Sequence, residues 1–130
     1  GVLMNPYLID HTENYNGIVV DAYEPTEYGT LLSAEDASLM QTFMREVVED
    51  GTGERLLGQS YAASGKTGTA EIKQSQSDTT GTELGWFTVM TTDSKQPLLI
   101  TTMVEDVKDR GGSGYVVEHT KTPLDLYLSK

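Results

Sequence analysis

The 130-residue chain contains no cysteine, and only nine of its residues are lysine or arginine. Without cysteine it has neither a disulfide framework nor a thiolate metal site, which suits a protein outside the cytoplasm without establishing the compartment. The basic residues stand against twenty acidic ones, and the formal net charge is -11. Because phosphate binding depends on clustered Lys and Arg, this composition argues against a nucleic-acid partner or an anionic membrane surface.

Long apolar runs are also missing from the sequence. None approaches the ~20 residues of a membrane span, and no signal-peptide pattern is visible, so we expect any membrane anchor to lie outside these residues. There is no repeat of about 20 to 50 residues. With 37% hydrophobic residues, the chain is long enough to form one domain that buries roughly two thirds of its surface.

One run carries chemistry: Ser-Gly-Lys-Thr-Gly-Thr-Ala-Glu, residues 64–71. It combines a cation with several hydroxyl groups and therefore suits an anion. In a strand its side chains alternate between faces, and Gly68 leaves a gap where the backbone of a ligand can lie close. The Lys-Thr-Gly triplet is the third signature of penicillin-recognising acyl-transfer enzymes, whose other signatures are a Ser-x-x-Lys nucleophile and a Ser-x-Asn element.

The two partner signatures are absent from the sequence. No serine has a lysine three positions later, and none begins a Ser-x-Asn element. We therefore expect a wall of an acyl-transfer site in this chain and no nucleophile.

An ordered set of motifs carries a family resemblance. The set is Gly-Val-Leu-Met-x-Pro-Tyr-Leu-Ile at 1–9, Met-x-x-Val-Val-x-x-Gly-Thr-Gly at 44–53, Gly65 to Glu71, Gly-Trp-Phe at 85–87, and an apolar strand ending in Val104-Glu105. It covers nearly the whole chain. It resembles the carboxy-terminal part of the transpeptidase domain of class B (monofunctional) penicillin-binding proteins, with residues 1–130 lacking the part that holds the nucleophile.

The resemblance implies an enzyme activity for the parent protein. It would be a DD-transpeptidase that cross-links peptidoglycan through a serine acyl-enzyme, at the extracytoplasmic face of the bacterial cytoplasmic membrane. Its partners would be the D-Ala-D-Ala end of the stem peptide, β-lactams that imitate it, and the missing amino-terminal part of its own domain. No cofactor and no metal are implied. A DD-carboxypeptidase uses the same parts and remains open.

The resemblance also implies roles for individual residues. Lys66 would supply positive charge and a link to the Ser-x-Asn element, and Thr67 and Thr69 would bind the carboxylate of substrate or drug. The Thr69 backbone N–H would form half of the oxyanion hole. Ser64 and Gly68 complete the expected substrate-binding set.

The amino-terminal third is predicted to contain a hairpin, a loop and a helix. Residues 7–9 and 18–20 flank Asn16-Gly17, a dipeptide suited to a tight turn. Residues 23–32 are predicted to form a loop. A helix over about 33–49 is predicted to be capped by Ser33 and to bury one face, namely Met40, Phe43, Met44, Val47 and Val48.

Beyond Gly53 the pattern changes to period two and predicts three antiparallel strands joined by short links, over residues 62–73, 84–91 and 98–105. The links are a polar loop at 74–82 and a turn at 92–96. After a loop at 106–114, helical spacing returns from Val116 to Leu128, where Pro123 either kinks the helix or starts a second half capped by Thr122. The predicted class is α+β, a three-stranded antiparallel sheet with flanking helices, which is part of the five-stranded sheet that the resemblance implies.

Packing and edge effects give further expectations. Trp86 and Phe87 are more typical of packing than of a substrate platform, and Glu71 is expected in water or in a salt bridge. Asp106 and Asp109 lack the spacing of a calcium loop, so no metal is predicted. If the partner of the strand at 98–105 is missing, its apolar edge favours self-association of the chain.

Two other function classes have some support in the sequence. Residues 60–67 miss the phosphate-loop pattern only at Ser60, but such a loop must open a helix, and Thr67-Gly68-Thr69 favours a strand. A non-catalytic binding or interaction domain is the other alternative. A Ser-x-x-Lys motif upstream in the complete gene would separate it from an enzyme.

Overall fold

The computed structural model describes residues 1–93 and 95–128. The chain divides into two compact units, Gly1–Met40 and Gln41–Lys130. Antiparallel sheets, two α-helices and a short 3-10 helix at Glu54–Leu56 make the described residues an α+β structure, which confirms the predicted class. Among the described residues, no helix is both long enough and apolar enough to cross a membrane.

The first unit contains two small antiparallel sheets, β1 with β4 and β2 with β3. Their bounds are Val2–Met4 for β1, His11–Glu13 for β2, Val19–Ala22 for β3 and Glu27–Thr30 for β4. The β2–β3 turn contains Gly17 at a φ of 76°, where glycine is favoured. The Asn14 side chain stabilises this turn, because its Oδ1 accepts hydrogen bonds from the N–H groups of Asn16 and Ile18 at 2.9 and 3.1 Å.

Two predictions for this unit are wrong. A tight turn at Asn16-Gly17 pairs residues that lie equally far from it, so the partner of β3 is His11–Glu13 and not residues 7–9. Residues 7–9 are exposed and form no strand. The predicted loop at 23–32 contains β4, whose partner β1 is more than twenty residues away and leaves no local sequence signal.

Helix α1 runs over Ala34–Glu49 and confirms the prediction for 33–49. Ser33 caps it, accepting the Asp36 N–H at 3.0 Å while its hydroxyl donates to the Asp36 carboxylate at 2.8 Å. The predicted buried face is only partly right. Val48 is fully buried, but Met40 and Phe43 are 50% and 57% exposed, because only the last turns of α1 reach a core.

The second unit is built on the three-stranded antiparallel sheet, in the order β5-β6-β7. The bounds are Ala63–Ile72 for β5, Thr82–Thr91 for β6 and Leu99–Val104 for β7. Each strand lies within two residues of its predicted range. In the predicted turn at 92–96, residue 94 lies outside the described residues.

One face of this sheet packs against helix α2, which spans Ser113–Leu128. Phe87 is fully buried there, as expected. A Cβ on Gly85 would lie 2.6 Å from Val116, so glycine at this position lets α2 approach β6 closely. Trp86 turns to the opposite face and is 40% exposed. Trp86 is therefore no part of the core that α2 covers, and its packing role stays a prediction.

Helix α2 is continuous through Pro123, so the predicted start of a second helix after Thr122 is wrong. Val117 before the proline and Leu124 after it are both fully buried, and their burial offsets the hydrogen bond that proline cannot make. Asp125 ties the helix to the residues before β5, because it accepts the Tyr61 hydroxyl at 2.8 Å. Burial and this carboxylate raise the pKa of the Tyr61 hydroxyl.

Candidate functional site

The Lys-Thr-Gly motif lies in the middle of β5, an edge strand whose neighbour is β6. Just before the strand, the Thr92 N–H donates to the Ala62 carbonyl at 3.2 Å. In an antiparallel ladder the backbone groups of successive residues turn to opposite edges. The even-numbered residues of β5 therefore bond to β6, and the odd-numbered residues direct their N–H and C=O groups to the outer edge.

Two cations lie on this outer edge, where both bind carbonyl groups of odd-numbered residues. The Arg45 guanidinium donates to the Ala63 carbonyl at 2.7 Å, and the Lys66 ammonium donates to the Thr67 carbonyl at 2.7 Å. The next outward-facing residue is Thr69, and neither its N–H nor its hydroxyl has a hydrogen-bond partner among the described residues. The Thr69 N–H thus lies two residues beyond the Thr67 carbonyl that Lys66 binds.

The side chains of the motif divide between the two faces of the strand. Thr67 is opposite Phe87 in the register and shares its face, as does Thr69, whereas Lys66 and Gly68 lie on the other face. Thr67 is half-buried, and its Oγ1 is 2.7 Å from the Oγ1 of Thr52. Lys66 and Thr69 are exposed. A ligand along the outer edge could therefore reach a cation from one face and two hydroxyl groups from the other.

Ser64 is placed differently from the rest of the predicted set. It is fully buried, and its hydroxyl has no hydrogen-bond partner among the described residues. A ligand at the exposed edge cannot touch a hydroxyl enclosed in this way, so this geometry gives no support to the expected contact between Ser64 and substrate. The strand pattern placed Ser64 and Lys66 on one face, but it did not indicate how deeply each is covered.

The two glycines of the motif meet different surroundings. A Cβ on Gly65 would lie 2.7 Å from the Phe87 ring, so glycine is required there for packing. A Cβ on Gly68 would lie 3.5 Å from the Cβ of Trp86, which is an ordinary contact. Packing within this chain therefore does not require glycine at 68. The position is open, as the predicted gap for a ligand backbone requires.

Beyond the motif, the strand ends in an ordered polar segment. Glu71 forms a salt bridge with Lys73 at 2.5 Å, one of the two situations expected for it. In the following loop, the Asp78 carboxylate accepts hydrogen bonds from the Thr80 hydroxyl and from backbone N–H groups, among them that of Gln74. These hydrogen bonds lower the pKa of Asp78 to about 2. Within the described residues, no group of three or more His, Asp or Glu side chains could hold a metal ion.

The strand also decides between two of the function classes. Residues 63–72 form one continuous strand through Lys66. A phosphate loop needs a helix to begin after its lysine, so that backbone N–H groups face the phosphates. The nucleotide-binding alternative is therefore wrong.

Two residues at the edge were missed by the sequence analysis. Arg45 and Thr52 reach β5 from the last turns of α1 and from the Gly-Thr-Gly turn after it. The turn is one of the motifs that carry the family resemblance. No local pattern in the sequence indicated that the Thr52 hydroxyl contacts Thr67.

Comparison with known proteins gives consistent results. Residues 1–123 match the family model described as the penicillin-binding protein transpeptidase domain. Penicillin-binding protein 3 of Bacillus subtilis (strain 168) is 41% identical over 93 residues, which cover 70% of this chain and 14% of the relative.

Solved structures have the same fold over the whole chain. A D,D-transpeptidase domain of a peptidoglycan glycosyltransferase from Eggerthella lenta is 27% identical, with a TM-score of 0.71. Penicillin-binding protein 2B from Streptococcus pneumoniae (strain R6) is 20% identical, with a TM-score of 0.70, and shows the fold alone. The chain covers 30% and 23% of these two structures, so it spans a minor part of each of them, as it does of the Bacillus relative.

Proposed function

The chain belongs to the penicillin-binding protein transpeptidase domain family, and from this premise we propose that it is the carboxy-terminal part of the transpeptidase domain of a peptidoglycan DD-transpeptidase. The order of its motifs and its coverage of known structures support this placement. The Ser-x-x-Lys and Ser-x-Asn elements then belong to the part of the domain that precedes residue 1. The parent protein acts at the extracytoplasmic face of the cytoplasmic membrane, with its anchor outside these residues.

The outer edge of β5 is the observation that carries the proposal. A free strand edge binds an extended peptide by adding it as another strand. Along this edge the Thr69 N–H has no partner in the part of the chain that the structure describes, and Gly68 leaves the approach open. The D-Ala-D-Ala end of a stem peptide, or a β-lactam that imitates it, binds here with its backbone beside the strand.

Charge and hydroxyl groups then fix the ligand's carboxylate. A carboxylate accepts hydrogen bonds and donates none, so it needs donors, and the hydroxyl groups of Thr67 and Thr69 supply them. The exposed ammonium of Lys66 adds a positive charge next to them in a chain of net charge -11. Such charge-assisted hydrogen bonds are shorter and stronger than neutral ones.

The Thr69 N–H supplies half of an oxyanion hole. Its position on the free edge lets it point at an oxygen outside the sheet, where negative charge develops in acyl transfer. Removing one such preorganised donor costs about 2.7 to 4 kcal/mol in the transition state. The other half comes from the backbone of the nucleophilic serine, which lies outside this chain.

The serine that forms the acyl-enzyme is not one of this chain's serines. A serine nucleophile needs a neighbouring base to take its proton. Ser64, the serine closest to Lys66 in the sequence, is buried, and its hydroxyl has no hydrogen-bond partner within residues 1–93 and 95–128. By itself the chain is therefore inactive, and it acts together with the amino-terminal part of its own domain.

Covalent labelling of the complete protein tests this function. We expect one equivalent of a fluorescent penicillin to bind, unlabelled benzylpenicillin to compete with it, and the label to map to the serine of a Ser-x-x-Lys motif preceding residue 1. Absence of labelling, or a label on a serine within residues 1–130, would contradict the proposal. Turnover of a D-Ala-D-Ala stem peptide with and without an acceptor amine separates transpeptidase from carboxypeptidase activity.

A further inference from the structure

The hydroxyl groups of Thr52 and Thr67 form a direct contact, with 2.7 Å between their Oγ1 atoms. Thr67 is the central residue of the Lys-Thr-Gly motif, and Thr52 lies fifteen residues earlier in the Gly-Thr-Gly turn. Either hydroxyl can donate to the other when no ligand is bound. The contact joins a residue that the proposed function uses to one that it leaves without a role.

The turn that carries Thr52 is held tightly on both sides. Gly53 N–H donates to the Val47 carbonyl at 2.8 Å. A Cβ on Gly51 would lie 2.9 Å from that carbonyl oxygen, and a Cβ on Gly53 would lie 3.0 Å from it. Because a side chain at either glycine would collide with the backbone of α1, the turn closes onto the end of that helix and fixes where Thr52 lies.

The end of α1 is in turn fixed to the same strand edge. Arg45 donates to the Ala63 carbonyl at 2.7 Å and pairs with Glu49 at 2.8 Å, one helical turn further on. The end of α1 and the glycine turn thus meet β5 at the Ala63 carbonyl and at the Thr67 side chain. Thr52 is a fixed part of the edge.

The chemistry of a carboxylate ligand determines the direction of the hydrogen bond between the two hydroxyl groups. A hydroxyl has one proton to donate and lone pairs to accept. If Thr67 donates its proton to a carboxylate, it can only accept from Thr52. We propose that Thr52 is a positioning residue, which donates to Thr67 and thereby keeps the Thr67 proton directed at the ligand carboxylate. This inference depends on the proposed function.

Two substitutions in the complete protein test the role. Thr52→Val keeps the shape of the side chain and removes the hydroxyl, and we expect it to slow acylation by benzylpenicillin about fivefold, the scale of one neutral hydrogen bond. Thr52→Ser keeps the hydroxyl and should stay within about twofold of the wild type. With benzylpenicillin methyl ester, which has no carboxylate, Thr52→Val should change the acylation rate by less than about twofold.

A double-mutant cycle with Thr67→Val completes the experiment. If Thr52 acts through Thr67, adding Thr52→Val to Thr67→Val should cause no further loss. The positioning role is wrong if Thr52→Val has no effect, if it slows the acid and the methyl ester equally, if Thr52→Ser is as slow as Thr52→Val, or if the two substitutions are additive. A wild-type protein that penicillin does not acylate would instead refute the proposed function itself, and this inference with it.

Discussion

The two outer edges of the β5-β6-β7 sheet have the same backbone and very different side chains. Among the described residues, β5 and β7 each pair with β6 alone, so each has one row of N–H and C=O groups that no other strand pairs. The β5 edge carries Lys66 and two threonines around an open glycine. The β7 edge reads Leu-Ile-Thr-Thr-Met-Val and carries no charge.

This difference indicates how side chains select what a free edge binds. Unpaired backbone groups alone attract any extended chain. On β5 the proposed function has the cation and the hydroxyl groups add a preference for a peptide that ends in a carboxylate. On β7 the side chains are uncharged and mostly apolar, and they add only a preference for another strand. We therefore propose the β5 edge as the ligand site and the β7 edge as an interface within a larger sheet.

The largest expected effect is a complete loss of acylation when this chain is isolated. The β5 edge supplies donors but no activated serine, so benzylpenicillin should form no covalent adduct with residues 1–130. Intact-mass spectrometry after long exposure checks this, with the complete protein as the positive control. A stoichiometric mass increase that maps to Ser64 would overturn both the proposed absence of the nucleophile and the roles given to the edge.

The next largest effect concerns the cation of the β5 edge. In the complete protein, Lys66→Ala should slow acylation by penicillin by about two to three orders of magnitude, the scale of losing an electrostatic stabiliser in an acyl-transfer site. Lys73→Ala is the matched control. It removes a lysine that pairs with Glu71 just beyond β5, and surface pairs contribute little. Equal stopped-flow rates for Lys66→Ala and wild type would make Lys66 an ordinary surface lysine.

A second comparison lies within β5, between Gly65, which packs against the core, and Gly68, which has room for a Cβ. Gly65→Ala should lower the free energy of unfolding by about 1 to 3 kcal/mol, because its methyl group overlaps the Phe87 ring. Gly68→Ala should change it by less than about 0.5 kcal/mol and yet slow acylation, because its methyl group occupies the approach of the ligand.

Urea unfolding of both variants, and acylation of the complete protein, measure the two effects. Equal stability losses would mean that the strand does not divide into a packing half and a binding half.

The smallest expected effect is at the β7 edge. The isolated chain should cover this edge by self-association or with its own terminal segment. If it self-associates, Thr101→Lys should raise the dissociation constant at least about tenfold, which corresponds to about 1.4 kcal/mol. Ser75→Lys adds the same charge in the β5–β6 loop and should leave association unchanged. Sedimentation as a monomer, together with rapid amide exchange along residues 98–105, would rule out a covered edge.

Much of the second unit could be predicted from the sequence, because its signals are local. Period-two alternation and short links located β5, β6 and β7 within two residues. In the first unit the β1–β4 pairing was missed, since it joins segments that are far apart in the sequence and carry no matching pattern. The hairpin turn was found there, but its first strand was not.

The sequence by itself determined the motif, its strand and the family, because residue order and side-chain period are properties of the chain alone. Burial and hydrogen-bond partners depend on what other segments bring to a residue, and only the tertiary structure decided those. It enclosed Ser64, left Met40 and Phe43 exposed, and directed the Thr69 N–H to a free edge. It also placed the Thr52 hydroxyl against Thr67, since two segments fifteen residues apart meet only once the chain has folded.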